Sequence, residues 1–373
     1  MANKRILIFS TSYLPLVGGA EVAVKEITDR LPEIEFDLIT ARQHKKLISV
    51  EKIGNVTVYR LGFGNVILDK LFVPYLGAIK ALKLNKEKHY MLFWCVMASF
   101  ASGAAYIANW FQKKVPIILT LQEGDSERYL KFKWFGLVDL SWRMALRRAD
   151  HLTAISNYLL NRAYKLGYRG VATLIPNGVD LNKFQNPKPR SQNPNEIILI
   201  TTSRLVEKNA VGDIIDSLKF LPDNVMLKIL GTGSLESELK HKAKNLGARV
   251  KFLGHIPYEN LPKHLHEADI FVRPSLSEGM GNSFIEAMAA GLPVIATPVG
   301  GIVDFLKDGE TGLFVEPKSP RLIAFQVQKL LSDRVLRHKL IINAKRMVIE
   351  KYDWDLIAKE MKTRIFDLPA TDR

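Results

Sequence analysis

The sequence predicts an α/β protein made of two doubly wound, Rossmann-like domains facing a central cleft. Three observations predict it. The chain has 373 residues, too many for one ordinary core and suited to two domains of ~150–190 residues each. Short apolar runs alternate with helix-length segments in both halves, the pattern of a parallel sheet covered on both faces. Between the halves, residues 186–195 (NPKPRSQNPN) hold three prolines and three asparagines and read as a linker.

In the first half, 5–9, 36–40, 56–61, 91–96, 115–121, 151–155 and 171–175 read as strands. Helices are expected at 19–31, 71–84, 98–110, 135–148 and 157–166. After the linker the alternation restarts, with strands at 197–202, 226–230, 250–253, 270–273, 294–296 and 313–315. The expected domains are 1–185 and 196–350, with a last helix over 354–366 returning to the first domain and joining 354–373 to it. Residues 90–111 carry no formal charge and are long enough to span a bilayer. Their texture is that of a buried strand followed by a small-residue helix, so no membrane span is expected. Residues 1–4 run straight into a strand, leaving no room for a secretory signal, and the one cysteine, Cys95, suits a reducing compartment.

The net charge is +15 and lies unevenly: residues 1–185 hold 26 Lys/Arg against 15 Asp/Glu, the remainder 27 against 23. A basic first half implies an anionic partner, a nucleic acid or a membrane surface. Residues 128–148 mix six basic residues and one acid with Tyr129, Phe132, Trp134, Phe135 and Trp142, and 69–88 add Leu71, Phe72 and Tyr75 among lysines. Such helices lie at membrane interfaces; the same pattern also fits a core-facing stripe with a solvated basic face. Nucleic acid is the poorer partner, because no recognition module is recognisable in the sequence.

Four segments carry chemistry, all at strand carboxyl ends, where open α/β sheets bind ligands. In 275–301, Glu278 follows a strand, Gly279 and Gly281 keep the next turn bare, and Ser283 and Glu286 have the spacing of a capping box. Bare glycines before a helix leave backbone N–H groups for an anion; alternatively Glu286 only caps and Glu278 is a solvated loop residue. Gly231 and Gly233 form a second strand-to-helix turn. Arg204 and Lys208 follow a third strand and suit a diphosphate, Arg through its fork and Lys as a point charge; an ordinary surface pair of Arg204 with Glu207 is the plain alternative. Gly18 and Gly19 stand in the first strand-to-helix turn, which is not the G-x-G-x-x-G dinucleotide fingerprint.

These residues resemble the retaining glycosyltransferases of family 4, glycosyl transferases group 1, which have the GT-B fold. The resemblance runs from Gly18 and Gly19 through PNGVD at 176–180 to YDW at 352–354, and its most specific element is the E-x7-E pair Glu278 and Glu286 with GLPVIA at 291–296 downstream. It implies a hexosyltransferase working on a UDP- or GDP-sugar without metal or other cofactor. Arg204 and Lys208 would neutralise the departing diphosphate, Glu278 would hold donor-sugar hydroxyls, and Glu286 the ribose. Gly279, Met280, Gly281 and Asn282 would meet sugar and phosphate, Gly18 and Gly19 would admit phosphate or acceptor, and Gly231 and Gly233, with His255 and Ile256 near the base, would complete the donor site. Where the family commonly has a histidine, this chain has Gln122, which carries no proton at neutral pH; Glu123 and Asp125 are then candidates for acceptor contact, or plain loop residues. With the basic helices, the expected partner is a lipid-linked or glycan acceptor at the inner face of the cell membrane, the enzyme being cytoplasmic and peripheral. A sugar-nucleotide-binding protein without transferase activity and a nucleotide-sugar epimerase are the rivals.

Overall fold

The computed structural model describes residues 4–112, 115–125, 137–184 and 195–368. It divides into two compact units, Met1–Asn177 with Trp354–Arg373, and Gly178–Asp353. The linker-like 186–194 and the basic, aromatic 128–136 lie outside the described residues.

The first unit runs β1 (Lys4–Phe9), α1 (Gly19–Asp29), β2 (Ile34–Ala41), β3 (Val50–Ile53), β4 (Val56–Leu61), α2 (Val66–Lys88), β5 (Leu92–Val96), α3 (Phe100–Phe111), β6 (Ile117–Leu121), α4 (Leu137–Arg148), β7 (His151–Ala154), α5 (Asn157–Lys165) and β8 (Val171–Leu174). The sheet order is β3-β4-β2-β1-β5-β6-β7-β8. Every pairing is parallel except β3 with β4. Strand β3 was not expected from the sequence. It folds back on β4 through the two-residue turn Gly54 and Asn55, where Gly54 takes φ 55°, a conformation that suits glycine in tight hairpins.

Alternate residues of a strand point to opposite faces, and here each face has its own cover. Ile6, Ile8, Phe36, Leu38, Val56, Val58 and Trp94 pack with α1 and with the C-terminal helix Trp354–Met361. Phe366 seats its ring 5.3 Å from Trp94 and 6.1 Å from Phe36. On the other face α2 lies close against Ile39 and α3: a Cβ added to Gly77 would fall 2.8 Å from the Ala104 methyl and 3.3 Å from Ile39. The small residues at 77 and 104 let two helices approach where larger ones would hold them apart.

Helix α2 begins five residues before the expected start. The Asn65 side chain accepts from the Ile67 and Leu68 amides, both at 3.0 Å, which is N-cap geometry. The buried Asp69 carboxylate gathers the amides of Phe63 (2.6 Å), Gly64 (2.8 Å), Asn65 (3.1 Å) and Gln43 (2.9 Å). Pro74 therefore stands inside the helix rather than in its first turn. The uncharged stretch 90–111 is split between β5 and α3, and among the described residues no helix is long and apolar enough to cross a membrane.

The second unit runs β9 (Ile197–Thr202), α6 (Val211–Ser217), β10 (Val225–Leu230), α7 (Glu236–Ala243), β11 (Val250–Gly254), α8 (Leu261–His266), β12 (Ile270–Arg273), α9 (Asn282–Ala289), β13 (Val294–Ala296), β14 (Leu313–Phe314), α10 (Pro320–Ser332) and α11 (Arg334–Lys351). Its order is β11-β10-β9-β12-β13-β14, all parallel. Residues 178–184 belong to this unit because their partners do. The Val179 amide donates to Tyr352 O at 2.7 Å, and His266 Nε2 lies 2.8 Å from Phe184 O. The Phe184 ring stands 5.8 Å from Tyr258.

Trp354 is fully buried in the first unit's core. Trp354→Ala is expected to destabilise that unit by about 3–5 kcal/mol through lost contacts and the cavity left behind. Calorimetry should show one transition moving down while the second unit's transition stays in place.

Candidate functional site

In the second sheet β9 lies between β10 and β12, so the winding reverses beside it. A crevice opens outside the carboxyl ends of strands at such a switch point. The loops that follow β9, β10, β11, β12 and β13 meet there through backbone hydrogen bonds. Ser203 N donates to Leu230 O (3.0 Å), Leu205 N to Thr232 O (2.9 Å) and Gly231 N to Gly254 O (2.7 Å). Leu276 N donates to Lys208 O (2.7 Å) and Gly301 N to Glu278 O (3.2 Å). Arg204, Lys208, Gly231, Gly233, Gly254 and Glu278, scattered over some seventy-five residues of sequence, thus share one connected loop cluster. His255 and Ile256 continue directly from Gly254.

The glycines of this cluster answer first to their own protein. A Cβ at Gly231, which has φ 131°, would fall 1.9 Å from Ser203 O, and one at Gly233 would fall 2.3 Å from Leu205 O. Both are bare because the β9 loop lies against them, a reason the sequence reading, which looked only for ligand approach, did not contain.

The centre of the site is a residue the sequence reading treated only as the end of a strand. Arg273 is buried, and its guanidinium donates to Ser283 Oγ (2.7 Å), to Asn209 Oδ1 (3.0 Å) and to Glu278 Oε1. Its guanidinium carbon lies 5.3 Å from the Phe284 ring centre. Ser275 Oγ adds a second donor to Glu278 Oε1 at 3.0 Å. Asn209 Nδ2 donates to Arg204 O at 2.6 Å. One guanidinium therefore ties the Arg204 loop, the Glu278 loop and the start of α9 together. The available signal was a charged residue closing the apolar strand IFVR, which can be buried only with a partner.

This overturns the expected capping box. Ser283 accepts from Arg273, α9 starts at Asn282, and its N-cap is Gly281 at φ 86° with no side-chain cap. Glu286 lies in the middle of the helix and is buried. Burial pushes its carboxyl up to about 7, against the opposing pull of Arg273. Glu278 is likewise buried, not a solvated loop residue. Gly279 and the buried Met280 fill the turn between them, followed by Gly281 and Asn282. Arg204 is exposed on the loop that follows β9.

The remaining candidates lie in the first unit. Gly18 caps α1 with an extended backbone, and Gly18 and Gly19 are both exposed after β1, itself the switch strand between β2 and β5. Gln122 accepts from Asn177 Nδ2 at 3.1 Å. Glu123 is not a plain loop residue: Oε1 accepts from Ala98 N (2.7 Å) and Oε2 from Gln122 N (2.9 Å), joining the ends of β5 and β6. Burial raises its carboxyl to about 7, with those amides and Arg162 opposing. Asp125 offers its backbone oxygen to Arg162 Nη1 at 3.2 Å.

Two family models together match residues 17–347. The one described as Glycosyltransferase Family 4 matches residues 17–183, and the one described as Glycosyl transferases group 1 matches 182–347. The chain belongs to the family 4 glycosyltransferases. An uncharacterized glycosyltransferase of Methanocaldococcus jannaschii is 25% identical over 94% of this chain and 94% of its own. A GDP-mannose-dependent monoacylated alpha-(1-6)-phosphatidylinositol monomannoside mannosyltransferase of Corynebacterium glutamicum is 29% identical over 59% of this chain and 64% of its own. Among solved structures, Anabaena HepE in complex with UDP and glucose superposes with a TM-score of 0.80 at 21% identity, covering 97% of this chain and 99% of its own. The fold is therefore GT-B, and the chain is a glycosyltransferase.

The buried Glu286 has a pH consequence. Its folded carboxyl titrates at about 7, above the unfolded value of about 4.3, so the folded chain holds the extra proton between them. That contribution to stability is complete below the unfolded value and is lost as pH rises through about 7. Glu286→Gln is expected to flatten this alkaline fall in thermal unfolding midpoint, in part only, because Glu123 acts in the same direction.

Proposed function

We propose that this glycosyltransferase moves a hexose from a UDP- or GDP-sugar to a lipid-linked or glycan acceptor at an anionic membrane surface, with retention of configuration and without metal. The observation that carries the donor half is the joining of the Arg204–Lys208 loop to the Glu278 loop, through Leu276 N to Lys208 O and through Asn209 and Arg273. The UDP and glucose of HepE and the GDP-mannose dependence of the Corynebacterium relative support a nucleotide-diphosphate sugar and leave both nucleotides in play.

In this reading Arg204 and Lys208 meet the diphosphate, and the negative charge that grows on it as the bond to the sugar breaks is stabilised by those two cations. Glu278, with Oε1 held by Arg273 and Ser275, turns Oε2 to the hydroxyls of the donor sugar. The ribose hydroxyls donate to Glu286. Amides from Gly279, Met280, Gly281 and Asn282 receive sugar and phosphate oxygens, and His255 and Ile256 border the base. The acceptor oxygen attacks the anomeric carbon on the face from which the diphosphate leaves, and its proton passes to a leaving phosphate oxygen. No side-chain nucleophile is required, and Gln122 serves as a hydrogen-bonding group only.

The membrane half rests on α2, α3 and α4. Ile67, Leu71, Phe72, Tyr75 and Ile79 are exposed on α2 beside the exposed Lys83 and Lys86. An apolar row flanked by lysines fits the interface of an anionic bilayer. That surface would keep the enzyme peripheral on the inner face of the cell membrane.

Two measurements test the reading. Nucleotide sugars screened by thermal shift and nucleotide release should yield one UDP- or GDP-sugar that stabilises the chain and is turned over; silence across the panel contradicts the donor assignment. Glu278→Gln keeps an acceptor for Arg273 and Ser275 and is expected to lower turnover at least ~100-fold with little change in melting, whereas Glu278→Ala also strands a buried guanidinium. Turnover of Glu278→Gln at the wild-type level refutes the role given to that carboxylate. For the membrane, co-sedimentation with phosphatidylglycerol vesicles at low salt is expected, and failure to sediment rejects it.

A further inference from the structure

At the edge of the first sheet opposite the strand carboxyl ends, a cavity of about 320 Å³ opens between the end of α4 and the turn joining α5 to β8. Its walls include Arg143, Arg147 and Arg169, with Leu146, Gly167 and Tyr168. The hollow has a local cause. Gly167 takes φ 97° with open space where a Cβ would stand, and a Cβ at Gly170 would fall 2.5 Å from the Tyr168 hydroxyl. That hydroxyl donates to Val171 O at 2.8 Å and pins the turn. Arg169 is steadied through Nη1 by Tyr164 O (3.2 Å) and Tyr168 O (3.0 Å). Arg143 gives Nε to Asp139 Oδ2 at 2.7 Å, the one carboxylate paired with any of the three among the described residues.

Three guanidinium groups around one hollow call for an anion, and planar forks match phosphate oxygens. A soluble phosphate accounts for the arginines but not for their neighbours. Leu140, Arg143, Met144 and Arg147 fall at i, i+3, i+4 and i+7 on one face of α4, and Leu140 and Met144 are 53% and 57% exposed. Trp110, at the end of α3, is 76% exposed, with Arg148 5.6 Å from its ring centre. The opposite face of α4 buries Trp142, Ala145 and Leu146. A phosphate site beside bare apolar side chains fits a ligand whose phosphate is attached to an acyl body.

We infer that this cavity holds the phosphate of an anionic membrane lipid headgroup while Leu140, Met144 and Trp110 enter the acyl boundary beside it. The inference rests on the membrane reading above and adds to it a defined, phosphate-specific site in the first unit. α2, α3 and α4 pack in succession, so this site and the apolar row of α2 belong to one helical layer of the first unit.

The full-length chain and its variants are to be titrated at physiological salt with phosphatidylcholine vesicles with and without phosphatidylglycerol. The variants are Arg147→Ala with Arg169→Ala, the same pair changed to Lys, and Lys83→Ala with Lys86→Ala as a charge-matched control on α2. The Ala pair is expected to bind phosphatidylglycerol vesicles about ten-fold more weakly than the control pair. The Lys pair should also be impaired, because charge without the fork does not refill the site. All four side chains are exposed, so wild-type melting is expected and is checked. Equal losses in the Ala pair and the control, or full binding by the Lys pair, overturn the pocket and leave the membrane reading standing. Failure of the wild-type chain to bind any anionic vesicle overturns both. Inorganic phosphate is the second probe. If it raises the melting temperature through Arg147 and Arg169 while vesicles do not displace it, the site serves a free anion and the lipid assignment falls.

Discussion

The loop cluster of the second unit, the proposed donor site, depends on one buried ion pair. Arg273 closes β12 and cannot be buried without compensation, so the chain surrounds its guanidinium with Glu278, Ser283 and Asn209. Those three residues come from the connection after β9, the loop after β12 and the first turn of α9, and each is positioned by the contact. Removing one partner of such a pair costs about 3–5 kcal/mol, because the other charge is left unpaired in a poorly polarisable interior. The same contact aims the active loop: with Oε1 engaged, the carboxylate of Glu278 presents its second oxygen in a fixed direction.

Around this pair the backbone supplies the rest of the order. Ser203, Leu205, Gly231 and Leu276 bond across loops, and Gly231, Gly233 and Gly300 are bare where a neighbouring carbonyl would meet a Cβ within 1.9 to 2.3 Å. A glycine turn at a strand end is usually read as room for a phosphate. Here the room is taken by the protein itself, since carbonyl oxygens of facing loops stand where each Cβ would be.

The first unit is organised differently. Its sheet is sandwiched by α1 and the C-terminal helix on one face, which share a core rich in aromatic contacts, and by α2, α3 and α4 on the other. The second layer is only half satisfied: it covers the sheet inwardly and leaves apolar and cationic side chains outward. Such a surface is costly to a protein meeting only water.

Much of this was legible in the chain. Apolar runs located thirteen of the fourteen strands among the described residues, because parallel strands buried on both faces are near-continuous apolar runs. The edge strand β3 escaped because it is only four residues long, with two charged residues between its two apolar ends, although Gly54 and Asn55 marked its turn. The residues of the proposed donor site, Arg204, Lys208, Glu278 and Glu286, were picked out by the sequence through their places after strands and their resemblance to the family spacing. Tertiary structure alone decided that Ser283 serves Arg273 rather than the helix end, that Glu286 sits buried in mid-helix, and that Glu123 binds two amides. Local sequence reports which hydrogen bonds a side chain is able to make; only the fold brings the competing donor within reach, and burial then decides which bond is kept.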